Sequence, residues 1–222
     1  PAVIALTSDE RFLGALNNQI IARTAKFVEE NPQTKIIVFG RRAAAKLEEM
    51  GFEVKKQFPG VPFPLEYASV VPLKEYLIDQ YLKNNIGSAE IIYARFHTFT
   101  RQTVETAKLL PFNIGDMISE EKIISQIDDD RDRYVMIEPD IRRIVEYTIA
   151  LWFGRRLYEI FWDSKLSELA NSTLELTERH EALQRQGKKT RVMYFRACHE
   201  MVDAGIREIF ASHKAVGQGL SF

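Results

Sequence analysis

The sequence predicts an α/β protein: a Rossmann-like layered domain followed by one very long C-terminal helix. Three observations predict it. Short apolar runs alternate with helical patterns from Val3 to Phe96, which is the pattern of a sheet layered with helices. The breaks between them fall at Asn31-Pro32, Gly40, Gly51 and Asn84-Asn85-Ile86-Gly87. From about Asp140 to about His213 there is no proline, and apolar residues recur at three- and four-residue steps. A helix of that span is roughly 110 Å long, whereas the residues before it build a globule only ~30–40 Å across. The helix is therefore expected to leave the domain as an arm whose apolar stripe needs another helix to cover it.

The elements follow in order. Val3–Leu6 is a short apolar strand, and Thr7-Ser8-Asp9 is a turn and helix-start signal. Leu13 to about Glu30 has helical spacing through Leu16, Ile20, Ile21, Thr24, Phe27 and Val28. Lys35–Phe39 is a second buried strand. Arg42–Met50 is a helix closed by Gly51, the usual residue past a helix end. Phe52–Phe58 is a third strand, Gln57–Pro64 a loop rich in proline and glycine, and Leu65–Leu82 a helix. Glu90–Phe96 is a further strand. The β-branched alternation at Thr98, Thr100, Thr103 and Val104 predicts that His97–Leu110 pairs with it as a hairpin. The sheet is expected to be parallel at first and antiparallel at its far edge. Asn113–Arg133 reads as a charged loop and Tyr134–Ile137 as a short last strand.

Glu138-Pro139-Asp140 starts the arm, with proline in the first turn and carboxylates at the positive end. Gly154, Gly187 and Gly205 lie inside it, each costing about 1 kcal/mol against alanine. Thr177–Arg191 is strongly polar, so an interruption at Gly187, giving two helices of ordinary length, is the chief alternative. The domains read as 1–138 globular, 139–214 helix and 215–222 tail.

The chain has 222 residues, of which 45% are hydrophobic, an ordinary fraction for a soluble globular protein. Thirty basic residues against thirty-one acidic ones give no global attraction to nucleic acid. The one cysteine, Cys198, excludes an internal disulfide framework and fits a reducing compartment. No apolar run reaches the ~18–20 residues that cross a bilayer as a helix. The opening Pro1-Ala2-Val3-Ile4-Ala5-Leu6 reads as strand interior, which predicts a lost upstream segment.

Chemistry is sparse. The turn Thr7–Ala15 sits where a doubly wound fold cradles phosphate, but it lacks GxGxxG and the Walker lysine, and two carboxylates flank it. Asp128-Asp129-Asp130-Arg131-Asp132-Arg133 lacks the glycine and distal glutamate of a calcium loop and reads as a solvated loop. His97, His180, His199 and His213 show no metal-ligand spacing. Cys198 and His199 are adjacent, so on a helix they point about 100° apart and make a poor nucleophile–base pair. Ser8 and Ser164 have no histidine partner that the sequence identifies. No cofactor is expected. The basic group Arg185, Lys188, Lys189 and Arg191 is either a solvated face or a meeting point for an acidic partner loop. Met193, Tyr194, Phe195, Met201, Phe210 and Leu220 form an apolar tail that demands a partner.

With these residues in view, the chain resembles the gamma subunit, the central rotor shaft, of rotary ATP synthases. Leu6-Thr7-Ser8-Asp9 through Leu16-Asn17 follows the family's opening turn, and Ile37-Val38-Phe39-Gly40-Arg41 its second strand. Tyr93-Ala94-Arg95-Phe96 resembles its Tyr-Asn-x-Phe, and Glu138-Pro139-Asp140 its step into the last helix. Ser167-Glu168-x-Ala170, Tyr194-Phe195-Arg196-Ala197 and Glu208-Ile209 keep the spacing of its C-terminal helix. The likeness runs over essentially the whole chain.

The resemblance implies a foot domain on the membrane ring beside the epsilon subunit. It also implies a C-terminal helix that forms half of an antiparallel coiled-coil shaft with an N-terminal helix absent from this sequence. The shaft turns inside the alpha and beta subunits and couples ion flow to ATP synthesis, with no catalytic residue in gamma. The implied location is peripheral to a membrane, on the cytoplasmic face of a prokaryote or the matrix or stromal side of an organelle.

Glu138 and Asp140 are implied contacts for the ring and epsilon. Arg191, Tyr194, Cys198, His199 and Asp203 are candidate contacts to the surrounding subunits. Two departures touch motifs directly. The glycine-rich turn is Phe12-Leu13-Gly14-Ala15, and the upper-shaft Arg-Gln…Ile-Thr-Gln-Glu signature is Cys198-His199…Val202-Asp203-Ala204-Gly205. They point to a diverged gamma or a paralogue. The rival readings are a nucleotide-binding Rossmann-like enzyme with a helical dimerisation arm, and a coiled-coil adaptor.

Overall fold

The computed structural model describes residues 1–9, 15–111 and 140–218. Five strands form one sheet: β1 (Ala2–Leu6), β2 (Lys35–Phe39), β3 (Val54–Phe58), β4 (Ala89–Thr98) and β5 (Arg101–Leu110), in the order β3-β2-β1-β4-β5. β1 pairs in parallel with β2, Ile4 opposite Ile37, and with β4, Ile4 opposite Ile91. β3 continues the parallel set beside β2, and β5 closes the far edge antiparallel to β4. The expected parallel sheet with an antiparallel edge is therefore present.

Helices cover both faces. α1 (Leu16–Glu30) and α2 (Arg41–Glu49) pack on Val3, Ala5, Ile36, Val38 and Ile92. α3 (Val71–Leu82) and the early turns of α4 (Ile141–Gln218) pack on the alternate set, Ile4, Leu6, Ile37, Phe39 and Ile91. Successive strand residues point to opposite faces, so a strand covered on both sides must be apolar throughout. All five residues of β1 are buried for that reason.

Local chemistry sets the joints. α2 ends with the Phe52 N–H donating to the Leu47 carbonyl and the Gly51 N–H to that of Glu48. That pair of bonds needs a left-handed residue, and Gly51 supplies it with φ of 89°. The helix expected from Leu65 begins instead with a 3-10 turn at Tyr67–Ser69, and α3 starts at Val71. Pro72 has no N–H and fits only the first turn of a helix, so it holds the start there.

α4 is a single helix of 78 residues. It runs unbroken through Gly154, Gly187 and Gly205, so the interruption at Gly187 does not occur. The Asp140 carboxylate accepts from the Arg142 N–H at 3.4 Å, close to the positive end of the helix. The chain divides into two compact units, Pro1–Leu174 and Glu175–Phe222. In the first, Phe153, Leu157, Ile160 and Phe161 of α4 are fully buried at a spacing of about one turn. The loop at Asn113–Arg133 with its aspartate cluster, the strand at Tyr134–Ile137 and the contact residue Glu138 lie outside the described residues.

Gly154 lets α4 close on the 3-10 turn. A methyl group there would run into the hydroxyl of Tyr67 and lie 3.3 Å from Lys74 Cδ. Gly154→Ala should therefore lower unfolding stability by about 1–3 kcal/mol, although alanine is the better helix former. Adding Tyr67→Phe removes the atom first struck and should recover part of the loss. Denaturant melts of the three chains check this.

Candidate functional site

In a doubly wound sheet the ligand crevice opens at the C-terminal ends of the strands, where the strand order reverses. Here that point lies between β1 and β4. It is occupied by the chain itself. Leu6, Thr7, Ser8 and Ala94 at the strands and Leu16, Asn17 and Ile20 of α1 line it, and Ser164 and Glu168 of α4 close it. The remaining cavity is about 10 Å³, no larger than one water.

The contact is polar and dry. Lys165 has no solvent exposure, and the Glu168 side chain has 7%. They stand three residues apart on one face of α4, with Lys165 Nζ donating to Glu168 Oε1 at 3.0 Å. The same oxygen accepts the Ser8 hydroxyl at 2.8 Å, from the residue just past β1. Ser167 Oγ donates to the Ala94 carbonyl of β4 at 3.2 Å. Asn17 Nδ2 donates to the Ser8 carbonyl at 2.9 Å and holds that turn against α1. Thr7 donates its hydroxyl to the Phe39 carbonyl and ties β1 to β2. One turn of α4 is thus bonded to the residue just past β1 and to the middle of its neighbour β4. A buried charge is tolerated only when paired and hydrogen-bonded, and this pair is both.

Beside it, at the ends of β1 to β3, lies an open hollow of about 540 Å³ lined by Ser8, Asp9, Arg41 and residues 57–61. Asp9 already serves the start of α2: its carboxylate accepts the Arg42 N–H at 3.2 Å and lies 3.7 Å from Arg41 Nε. A carboxylate seated on a helix N-terminus competes with an incoming phosphate for the same donors. Among the described residues, the first place is filled by α4 and the second has Asp9 on the helix start.

A charged belt runs where the β4–β5 hairpin meets α4. Arg95 donates to Glu105 at 2.9 Å, and that hydrogen bond holds the Glu105 carboxyl below the usual range. His97 Nε2 is 3.6 Å from the same carboxylate. Burial pushes the Asp163 carboxyl up, against the pull of Arg95 and Arg156. Burial also raises the Tyr93 hydroxyl.

The second unit offers a different surface. Leu176, Leu183, Tyr194, Met201, Val202, Ile206 and Ile209 are all exposed. Gly187 makes a notch flanked by Leu183, Thr190, Arg191 and Tyr194, all on one face of the helix. Arg191 lies over the Phe195 ring at 5.9 Å, and Tyr194 meets Phe195 edge-on at 5.8 Å. Of the residues singled out from sequence, Arg191 and Tyr194 therefore share this notch. Cys198 is half-buried, His199 and Asp203 are exposed, and the Asp203 carbonyl accepts from Arg207 Nε at 3.2 Å. Asp140 is exposed at the start of α4.

Sequence reasoning passed over Lys165 and read Ser8 as part of a turn after the first strand, with no histidine partner and no link to α4. The signal was present. Lys165 continues the buried series Phe153, Leu157, Ile160 and Phe161, and a charge in an apolar stripe with a carboxylate three residues on is a buried pair in prospect.

Comparison with known proteins adds the family context. The sequence profile of the ATP synthase family matches residues 1–216. The ATP synthase gamma chain of Chlorobium phaeobacteroides is 22% identical over 221 residues, 96% of this chain and 72% of that one. The gamma chain of Clostridium acetobutylicum is 24% identical over 169 residues, 76% of this chain and 56% of its own length. The fold matches a chain in the mitochondrial ATP synthase of Euglena gracilis, a structure of OSCP, F1 and c-ring, with a TM-score of 0.70 and 17% identity, covering 100% of this chain and 74% of that one. A chain in the central stalk and c-ring of the Tetrahymena thermophila mitochondrial enzyme matches with a TM-score of 0.62 and 16% identity, over 80% of this chain and 75% of that one.

The site's electrostatics set the outcome of four variants. Glu168→Ala removes a buried, hydrogen-bonded carboxylate beside the Lys165 ammonium and should cost about 3–5 kcal/mol. Lys165→Met combined with Glu168→Gln removes both charges and should restore most of that, as read in denaturant melts. Asp163, with its folded value raised, contributes stability below its ordinary value of 3.8 that is lost as pH rises through the folded value. Asp163→Asn should therefore raise the melting temperature at neutral pH. Glu105 has the opposite sign: its contribution is present above its ordinary value of 4.5 and is lost as pH falls through the lowered one. Because the Arg95–Glu105 pair is partly exposed, Glu105→Gln should change the neutral-pH melting temperature only slightly.

Proposed function

We propose, because the chain belongs to the ATP synthase gamma family, that it works as the rotor shaft coupling ion translocation through a membrane ring to ATP synthesis and hydrolysis in an alpha/beta hexamer. The observation that carries the reading is the uncovered apolar face of α4 from Leu176 to Ile209. Exposed large side chains repeated along one helix face mark a surface that another helix or subunit covers. On this reading α4 is half of an antiparallel coiled coil whose other half is an N-terminal helix outside this sequence. Residues 1–138 form the foot, 139–214 the shaft helix and 215–222 its tail.

The mechanics follow from differential contact energy. As an asymmetric shaft turns, each surrounding subunit meets a different set of side chains, and its equilibrium between conformations shifts by the difference in contact energy. Nucleotide chemistry then resides in the surrounding subunits, and this chain contributes no catalytic residue. Arg191, Tyr194, Cys198, His199 and Asp203 are the residues we assign to that contact. Glu138 and Asp140 are assigned to the ring and epsilon side.

Among the described residues no helix is long and apolar enough to cross a membrane. The reading therefore gives the chain a peripheral place in a membrane-bound complex.

Co-purification from native membranes tests the proposal. The tagged full-length chain should bring down alpha and beta subunits, and a chain carrying Tyr194→Glu, Met201→Glu and Ile209→Glu should recover about tenfold less of them. Recovery of the unsubstituted chain without either subunit sinks the reading.

A further inference from the structure

We propose that Ser8, Lys165, Ser167 and Glu168 form a torsional lock: positioning residues that fix the rotational setting of α4 on the sheet, so that load passes between the α/β domain and the helix without slip. The inference rests on the shaft reading above and assigns a mechanical role to a site that reading leaves unused.

Two kinds of contact hold α4 in the first unit. Phe153, Leu157, Ile160 and Phe161 bury apolar area against the sheet. That attraction is proportional to area and has no direction. Hydrogen bonds behave differently, because they weaken steeply once the donor angle falls away from linear. The turn from Lys165 to Glu168 makes its bonds to two separate strands: Glu168 to Ser8 beyond β1 at 2.8 Å, and Ser167 to Ala94 in β4 at 3.2 Å. Two attachment points on neighbouring strands define an orientation, where one would define only a position.

Lys165 stiffens the lock through Glu168. Its ammonium is 3.0 Å from the carboxylate oxygen that also takes the Ser8 hydroxyl. The Phe63 ring lies 5.9 Å from Nζ. With no solvent exposure at Lys165, the pair acts in a low-dielectric setting where electrostatic bonds are stronger and misalignment is more costly.

The lock also lies where the sheet crevice would otherwise admit a ligand. The site that binds a cofactor in other doubly wound folds here binds the chain's own helix.

The test uses the complete ATP synthase reconstituted into vesicles, with the substitutions placed in the full-length chain. Slip is read as ATP hydrolysed without ion pumped, measured as the opposing ion gradient is raised. Ser8→Ala removes one bond and should raise slip under load about fivefold. Lys165→Met with Glu168→Gln keeps side-chain size and removes both charges of the pair together, and should raise slip more than about tenfold. Unloaded hydrolysis should stay within about twofold of the unsubstituted enzyme in both. A purely structural role would lower melting temperature and assembly together and leave slip per assembled complex unchanged.

Equal slip in all three enzymes at every gradient overturns the lock. So does a loss of unloaded hydrolysis in step with pumping. Failure of the unsubstituted chain to assemble with alpha and beta subunits removes the shaft reading itself, and the lock with it, so the two failures are separable.

Discussion

A lysine and a glutamate one turn apart, both withdrawn from water, constrain everything around them. Neither charge is tolerable in the interior alone. Each must keep the other within bonding distance, and the carboxylate must find a further donor for its remaining lone pairs. Ser8 provides that donor, and Ser8 is held by Asn17 of α1. The pair therefore requires that α4, the end of β1 and the start of α1 stay in register. Apolar burial by itself has no direction, whereas the hydrogen bonds of the pair are satisfied in one setting of the helix.

The same helix meets two physical environments. Within the first unit Phe153, Leu157, Ile160, Phe161 and Ala170 form a buried face, while Ile144, Val145, Tyr147 and Leu151 on the turns before them are exposed. From Glu175 onward the second unit keeps large side chains such as Leu183, Met193, Tyr194 and Phe210 exposed. Intrahelical ion pairs such as Arg179–Glu175 and Arg185–Glu181, each at 3.0 Å, line this polar stretch. Each is worth only a few tenths of a kcal/mol. Such pairs support a helix; they do not supply a core. That contrast separates a segment that folds with its own domain from one whose apolar face is left for a partner.

Much of the fold was legible because it depends on local signals. Lys35–Phe39 is a strand at the boundaries expected, since a run of apolar residues ended by Gly40 admits little else. Gly51 closes α2 in the conformation that only glycine adopts freely. The hairpin of β4 and β5 was readable from the β-branched alternation in its second strand. The 3-10 start at Tyr67–Ser69 was not, because the hydrophobic spacing of a 3-10 turn and of an α-helix differ little over three residues. The candidate site was legible only in fragments. Ser167-Glu168 stood out only through the family resemblance, Ser8 by its place after a strand, and Lys165 not at all. Their meeting spans a sequence separation of 160 residues between Ser8 and Glu168, and no local pattern encodes that.

By itself the sequence determined the kinds of element and their order. It also determined the absence of a proline that would stop α4, and an apolar stripe longer than one small domain can cover. These follow from backbone chemistry and side-chain periodicity, which act over a few residues. Only the tertiary structure decided that the helix is unbroken at Gly187, that Gly154 must be small because Tyr67 lies against it, and that the ligand crevice of the sheet is filled by Glu168. Those outcomes depend on which distant surfaces come together when both faces of the sheet are covered, and burial is a property of the assembled layers rather than of any one segment.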